Sequence, residues 1–233
     1  MRFKVLESYK TSDRLNPKLF KNNSLKEDVR EALMNIADSF IEYIGEWEIP
    51  ISVIDVWMVG SNAAYNYSDK SDIDLHIIAD IGEAGDESLM SIVYNLIRSS
   101  YNKAHDITVK GCPVEVYVED VSSSSVTNGI YSVKDNKWIK EPQKVEIVDI
   151  DVTKTNTYKD YIKRVKEAGT VDEIKKVIND LYVLRKVSLM QDGETGEGNL
   201  VFKEIRNQGL LDELKDKIAK EEDKELTLEQ VQI

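Results

Sequence analysis

The sequence predicts an α+β fold in which a mixed α/β sheet with flanking helices is followed by a helical bundle. In the first two thirds of the chain, apolar β-branched runs alternate with amphipathic helical segments. Beyond about residue 155 the strand pattern disappears and short loops join helical segments. We therefore expect a polar lead-in at 1–24, a mixed domain at 25–150 and a C-terminal helical domain at 151–233.

The first helix is predicted at 25–46. Ser24 and Glu27 have the spacing of a capping box, in which each side chain accepts a hydrogen bond from the other residue's backbone N–H. Apolar residues then recur at helical spacing from Val29 to Ile44, so we expect one face of this helix to be buried.

Four apolar runs predict strands, and a helix at 86–101 separates the second from the third. Its apolar side is expected to be Leu89, Ile92, Val93, Leu96 and Ile97. A hairpin is predicted at 129–139 around Asp135-Asn136, a favourable turn pair. The predicted strands are 51–60, 72–80, 105–109 and 113–119.

The last third of the chain reads as antiparallel helices. Gly169 ends one helical segment, and Thr170 with Glu173 forms a second capping box at the start of the next. A loop at 192–198 precedes two further helical segments. These short connections favour a bundle.

Composition excludes some classes of function. The net charge of −12 disfavours a long nucleic acid as the main partner, because an acidic surface repels polyanions. No run of 18 apolar residues is present, so we expect no membrane span. The N-terminal segment has no secretory pattern, and the single cysteine, Cys112, cannot form an internal disulfide, so cytoplasm is the expected compartment.

The segment at 57–78 holds the residues with the clearest chemistry. A strand runs into Gly60-Ser61, and the next strand opens with Asp72 and Asp74. A glycine at a strand end lets a ligand approach the backbone, and a helix starting at Ser61 would offer N–H groups to phosphate. Two carboxylates ~6.5 Å apart on one strand face need a counter-charge. Magnesium suits such oxygen ligands.

A third carboxylate is expected on a neighbouring strand, and two residues qualify. Glu115 lies between Val114 and Val116, whereas Glu119 lies at the end of its strand beside Asp120. We select Glu115 because we expect Glu119 to face solvent.

This pattern resembles the DNA polymerase beta-like nucleotidyltransferase superfamily, whose signature is an apolar strand, Gly-Gly or Gly-Ser, a spacer, Asp-apolar-Asp/Glu-apolar and a distal acid. The resemblance covers roughly 51–119, and the order of core and helical bundle is similar to the aminoglycoside and minimal nucleotidyltransferases. The segment at 192–209 is similar to predicted nucleotidyltransferases of large phages, for which the compartment would be the host cytoplasm. The matching elements are Val59-Gly60-Ser61, Asp72-Ile73-Asp74-Leu75 and Val114-Glu115-Val116.

The resemblance implies transfer of NMP from an NTP, with ATP favoured, to a hydroxyl acceptor with release of pyrophosphate. Asp72, Asp74 and Glu115 would be catalytic and would bind two Mg²⁺ ions, with Mn²⁺ as an alternative. Gly60 and Ser61 would hold the triphosphate. The acceptor would be a small molecule, a protein or an RNA end. The alternatives are a synthase that joins nucleotides into a messenger and a catalytically silent nucleotide-binding regulatory protein.

Other candidates have an ordinary structural explanation beside the functional one. Ser71 is a candidate nucleotide-binding residue or a local turn cap, and its neighbour Lys70 fits an ordinary polar turn. Lys203, one helical turn from Arg206, is a candidate for binding nucleotide or a partner of helix glutamates. His76 shares the face of the aspartates, and we expect it to form a local hydrogen bond rather than to act in catalysis.

Overall fold

The computed structural model of the protein describes residues 12–69, 71–123, 127–144 and 151–227, except for the side chain of Glu194. The chain forms two compact units, and its described residues fall into 12–144 and 151–227. Among these residues, the strands belong to the first unit and helices dominate the second, so the predicted α+β class is confirmed.

The first unit begins with a small hairpin, β1 (Phe20–Lys21) and β2 (Ser24–Leu25), followed by α1 (Glu27–Gly45). The predicted capping box at Ser24 is wrong, because Ser24 pairs with Lys21 in the hairpin and the residue before α1 is Lys26, whose side chain caps nothing. Leu15, Leu19 and Phe20 are buried in the core. The described part of the predicted lead-in therefore packs with the first unit.

The main sheet has six strands in the order β5-β6-β4-β3-β7-β8. Neighbouring strands are antiparallel except for β4 and β6, which are parallel and are connected through α2 (Glu87–Ala104). Only two residues of the predicted strand at 105–109 are paired. The strands are β3 (Val53–Val59), β4 (Ile73–Ala79), β5 (Thr108–Val109), β6 (Cys112–Asp120), β7 (Ile130–Ser132) and β8 (Lys137–Lys140).

One side of the sheet belongs to the hydrophobic core of the first unit. The alternation of side chains along β4 places Leu75 and Ile77 on that side, and both are fully buried. The apolar faces of α1 and α2 contribute to the same core, as residues such as Phe40 and Tyr94 show. The predicted hairpin at β7–β8 is confirmed, and Asn136 in its turn has the positive φ of 54° that such turns require.

The helix α2 is present, but its predicted apolar side is largely wrong. The buried residues are Met90, Tyr94, Ile97 and Tyr101, at spacings of three and four. Leu89, Ile92 and Leu96 of the predicted side are exposed. The two possible faces differ by about one helical position, and the larger tyrosine side chains, which periodicity of aliphatic residues ignores, occupy the core.

The described part of the second unit consists of helices joined by short connections. The predicted capping box of Thr170 and Glu173 is confirmed, and it satisfies backbone N–H groups at the start of the longest helix. Among the described residues of both units, every helix is too short or too polar to cross a membrane. The helices are α3 (Asn156–Glu167), α4 (Val171–Asp192), α5 (Glu197–Asn207) and α6 (Leu210–Leu226).

Candidate functional site

Three carboxylates meet at one end of the strand pair β4–β6. Asp74 is directly opposite Glu115 in the parallel register, and Asp72 lies two residues earlier, just before β4 begins. Side chains two residues apart on a strand point to the same face, so all three acids share the face opposite the core. One carboxylate oxygen from each of Asp72, Asp74 and Glu115 lies within 4.8 Å of the others. The structure thus brings together the three acids selected from the sequence.

Gly60 allows Asp74 to occupy its position. The backbone of Gly60 has φ 75° and ψ −161°, a conformation that is essentially restricted to glycine. A Cβ atom at this position would lie 2.0 Å from Oδ2 of Asp74, well inside contact distance. We expected the glycine to admit a ligand to the backbone, and the group that approaches it in the structure is the Asp74 carboxylate.

Asn62 supports the site and was missed from the sequence. Its side chain is fully buried and makes hydrogen bonds with both of its polar atoms. Nδ2 donates to the backbone carbonyls of Ser71 and Asp72 at 3.1 and 2.7 Å, and Oδ1 accepts from Asn16 at 2.8 Å. Asn62 therefore fixes the backbone that carries Asp72. An asparagine after Gly-Ser reads as an ordinary turn residue, and no sequence pattern reveals its burial.

The serines near the acids bond to one another. Ser61 Oγ donates to Ser71 Oγ at 2.9 Å, and Ser71 Oγ also accepts from the backbone N–H of Ser68 at 2.9 Å. The helix expected to start at Ser61 is a single 3-10 turn, Ser61–Ala63, which is too short for a helix dipole to matter. The local turn role weighed for Ser71 is therefore present, and nucleotide binding by Ser61 and Ser71 stays a prediction.

Tyr117 links the acids to the rest of this sheet face. Its hydroxyl donates to Oε2 of Glu115 at 2.5 Å, and the guanidinium of Arg98 lies 4.7 Å from the centre of its ring. Burial raises the pKa of Tyr117 far above its ordinary value, and the acceptor Glu115 and the charge of Asp74 raise it further. The hydroxyl therefore keeps its proton across the physiological pH range and can donate a hydrogen bond to Glu115 throughout it.

His76 forms a local contact, as expected from the sequence. Nδ1 of His76 lies 2.6 Å from Oε2 of Glu119, in a hydrogen bond that the carboxylate oxygen accepts. The side chain of Glu119 is 17% exposed, whereas Glu115 is an exposed residue. The choice of Glu115 thus agrees with the geometry, but our reason for it was wrong, since Glu119 is the more enclosed of the two.

Lys70 lies outside the described residues. Lys203 is on α5 in the second unit. A role for Lys203 in nucleotide binding stays a prediction.

The donor set fits a hard divalent cation. Three carboxylates so close together repel one another, and a divalent cation compensates that repulsion. The oxygens belong to two half-buried aspartates and one exposed glutamate, so the cluster is open to solvent on one side. Magnesium and manganese prefer such all-oxygen sites and share them with phosphate oxygens.

Comparisons with known proteins add little to this geometry. Neither a scan against models of protein families nor a search of curated proteins finds a match for this chain. Among solved structures, the chain is similar to the STING-associated CdnE c-di-GMP synthase from Capnocytophaga granulosa, with a TM-score of 0.28 and 12% identity over 84% of each chain. A similarity this low does not indicate the substrate or the product of this chain.

Proposed function

We propose that the chain is a divalent-metal-dependent nucleotidyltransferase of the DNA polymerase beta-like type. The observation that carries this proposal is the convergence of Asp72, Asp74 and Glu115 within 4.8 Å on adjacent strands. The position of Gly60 against Asp74 supports it, because the Gly-Ser step and the aspartate pair of the sequence motif are in direct contact. The resemblance of the motif to that superfamily implies the reaction class, and the close approach of the three acids supports the proposal.

In the proposed reaction an acceptor hydroxyl oxygen bonds to the α-phosphorus of an NTP, the bond from that phosphorus to the bridging oxygen breaks, and pyrophosphate leaves. The hydroxyl proton is lost to solvent or to a base. Bound Mg²⁺ or Mn²⁺, expected as two ions, supplies charge neutralisation and lowers the pKa of the hydroxyl. Asp72 and Asp74 would hold the ion that carries the triphosphate, and Glu115 would complete the site of the ion that acts on the acceptor hydroxyl.

Two versions of the proposed reaction differ in the molecule that accepts the NMP. In the first, NMP passes from an NTP, with ATP favoured, to a hydroxyl of a small molecule, a protein or an RNA end. In the second, the acceptor is another nucleotide and the product is a nucleotide messenger. Both versions use the same chemistry at the α-phosphorus, so the experiment must detect both products.

The test uses each α-³²P-labelled NTP with Mg²⁺, once with the protein alone and once with a cell lysate added. Linked nucleotides formed by the protein alone indicate the messenger version. Label on another molecule, formed only with lysate, indicates the transferase version. Nucleotide binding without turnover in either arm would overturn the enzymatic proposal and favour a regulatory protein.

The decisive variant is Asp74→Asn, which keeps the size of the side chain but removes its charge. We expect at least ~1000-fold slower transfer, about 4 kcal/mol of transition-state stabilisation, because a carboxylate ligand of the metal is lost. The matched control is Asp69→Asn, in the loop before β4, where the acid pairs with Lys18 at 3.3 Å. Equal turnover by Asp74→Asn and the control would contradict the assignment.

A further inference from the structure

Glu115 is the least constrained of the three acids. It is an exposed residue, whereas Asp72 and Asp74 are half-buried, and its side chain has one more rotatable bond than an aspartate. Holding such a side chain in one rotamer costs conformational entropy. It must also be held beside two groups of the same charge. A cation site that uses Glu115 therefore benefits from a residue that fixes its carboxylate.

Tyr117 is positioned to fix the carboxylate of Glu115. It lies two residues beyond Glu115 on the same face of β6, and its hydroxyl donates to Oε2 of Glu115 at 2.5 Å. The tyrosine is itself restrained, because its ring lies 4.8 Å from the ring of His76 and 4.7 Å from the Arg98 guanidinium. His76 is in turn held by Glu119 at 2.6 Å. The hydrogen-bond donor thus belongs to a connected network.

We propose that Tyr117 is a positioning residue for the metal site, which orients the carboxylate of Glu115 toward Asp72 and Asp74 through its hydroxyl. The inference rests on the proposed function, since it concerns the same cation site. A carboxylate that accepts one hydrogen bond keeps lone pairs for a cation, so the contact with Tyr117 and metal binding are compatible. Partners of this kind typically change metal affinity by 10–100-fold when they are removed.

The test is Tyr117→Phe in the full chain, with Mn²⁺ binding measured from the free-ion electron paramagnetic resonance signal. Phenylalanine keeps the ring that contacts His76 and Arg98 and removes only the hydroxyl. We expect about 10-fold weaker Mn²⁺ binding. The matched control is Tyr101→Phe. This change removes a hydroxyl that donates a hydrogen bond of 3.1 Å to Ser39 Oγ and that does not contact the acids. The control should bind Mn²⁺ like the wild type.

A double-mutant cycle separates positioning from general packing. In a Glu115→Gln background, Tyr117→Phe should cause no further loss of Mn²⁺ affinity, because the carboxylate that it orients is already gone. Equal Mn²⁺ affinity of the wild type and Tyr117→Phe, or an unchanged effect of Tyr117→Phe in the Gln background, would overturn the inference. If the wild type binds no Mn²⁺, with or without a non-hydrolysable ATP analogue, the proposed metal site itself fails.

Discussion

The two faces of the main sheet carry opposite chemistry on the same strands. Along β4, Leu75 and Ile77 are fully buried, whereas Asp74 and His76, which alternate with them, are half-buried and polar. The same alternation holds on β6, where Val116 is buried between Glu115 and Tyr117. One face therefore contributes apolar burial to the free energy of folding, and the other gathers acids that repel one another.

The difference indicates how the fold tolerates an acidic site. Three neighbouring carboxylates oppose folding, and the apolar face of the same strands compensates for this by burial at roughly 25 cal/mol per Å². Mutations on the two faces should consequently separate stability from activity. Asp74→Asn should abolish transfer without lowering stability, because it removes one of three like charges.

The largest effect on stability is expected from Leu75→Ala, the neighbour of Asp74 on the opposite face. Leu75 is fully buried between Met58 and Val116 on the adjacent strands, so truncation leaves a cavity in the core. We expect the free energy of unfolding to fall by about 3–5 kcal/mol. Urea denaturation followed by circular dichroism measures this change.

The control for that prediction is Leu75→Met, which conserves most of the volume and should cost under ~1.5 kcal/mol. The comparison of the two faces would fail if Asp74→Asn destabilised the protein as much as Leu75→Ala. It would also fail if Leu75→Ala cost less than ~1 kcal/mol, because the apolar face would then not be the source of stability.

An intermediate effect is expected from Asn62→Ala. The change leaves the carbonyls of Ser71 and Asp72 and the Asn16 amide without their buried partner. The free energy of unfolding should fall by about 2 kcal/mol, since buried polar groups that lose a hydrogen bond are costly. Mn²⁺ affinity should fall too, because the backbone of Asp72 is no longer fixed.

The matched control is Asn95→Ala on the exposed side of α2, where the side chain donates to the backbone carbonyl of Ser91 in its own helix. That change should alter stability by less than ~0.5 kcal/mol and leave Mn²⁺ binding unchanged. If Asn62→Ala behaved like Asn95→Ala in both measurements, the role assigned to Asn62 would be refuted.

The sequence predicts the elements of the site better than the contacts that support it. Strand alternation places Asp72, Asp74 and Glu115 on one face, because side-chain direction on a strand has a strict period of two. Strand order, which brings β6 beside β4, has no such local signal. Burial of Asn62 and the reach of Asp74 toward Gly60 depend on the path of a turn, which sequence spacing does not specify.

Amphipathic patterns likewise predict that a helix forms better than they predict which of its faces is buried. The apolar face of α1 follows the predicted spacing, but α2 buries Tyr94 and Tyr101 and exposes Leu89 and Leu96. Periodicity alone identifies a helix, and the identity of its buried face depends on which side chains fit the sheet beneath it.

The smallest expected effect concerns a buried acid in the second unit. It contrasts with the three acids of the sheet, which are half-buried or exposed. Glu204 on α5 is 6% exposed, and its Oε1 accepts a hydrogen bond from Gln208 at 2.6 Å. Burial raises the pKa of this carboxyl group, the charge of Asp151 adds to the rise, and the bond from Gln208 opposes it. Glu204→Gln keeps an Oε1 acceptor for Gln208 and removes the charge.

The direction in which stability changes with pH follows from the linkage between proton binding and folding. Because the pKa of Glu204 is raised in the folded state, the carboxyl group ionises at a lower pH in the unfolded chain than in the folded protein. The protonated group therefore contributes its full stability below the unfolded pKa. That contribution is lost as the pH rises through the folded pKa. Glu204→Gln should therefore raise the free energy of unfolding at pH 7 by on the order of 1 kcal/mol and leave it unchanged near pH 4. Thermal unfolding at both pH values measures the difference, with Glu225→Gln on the exposed end of α6 as the control. A variant less stable than the wild type at pH 7 would show that the ionised Glu204 carboxylate is stabilising, and the contrast between exposed and buried acids would then be wrong.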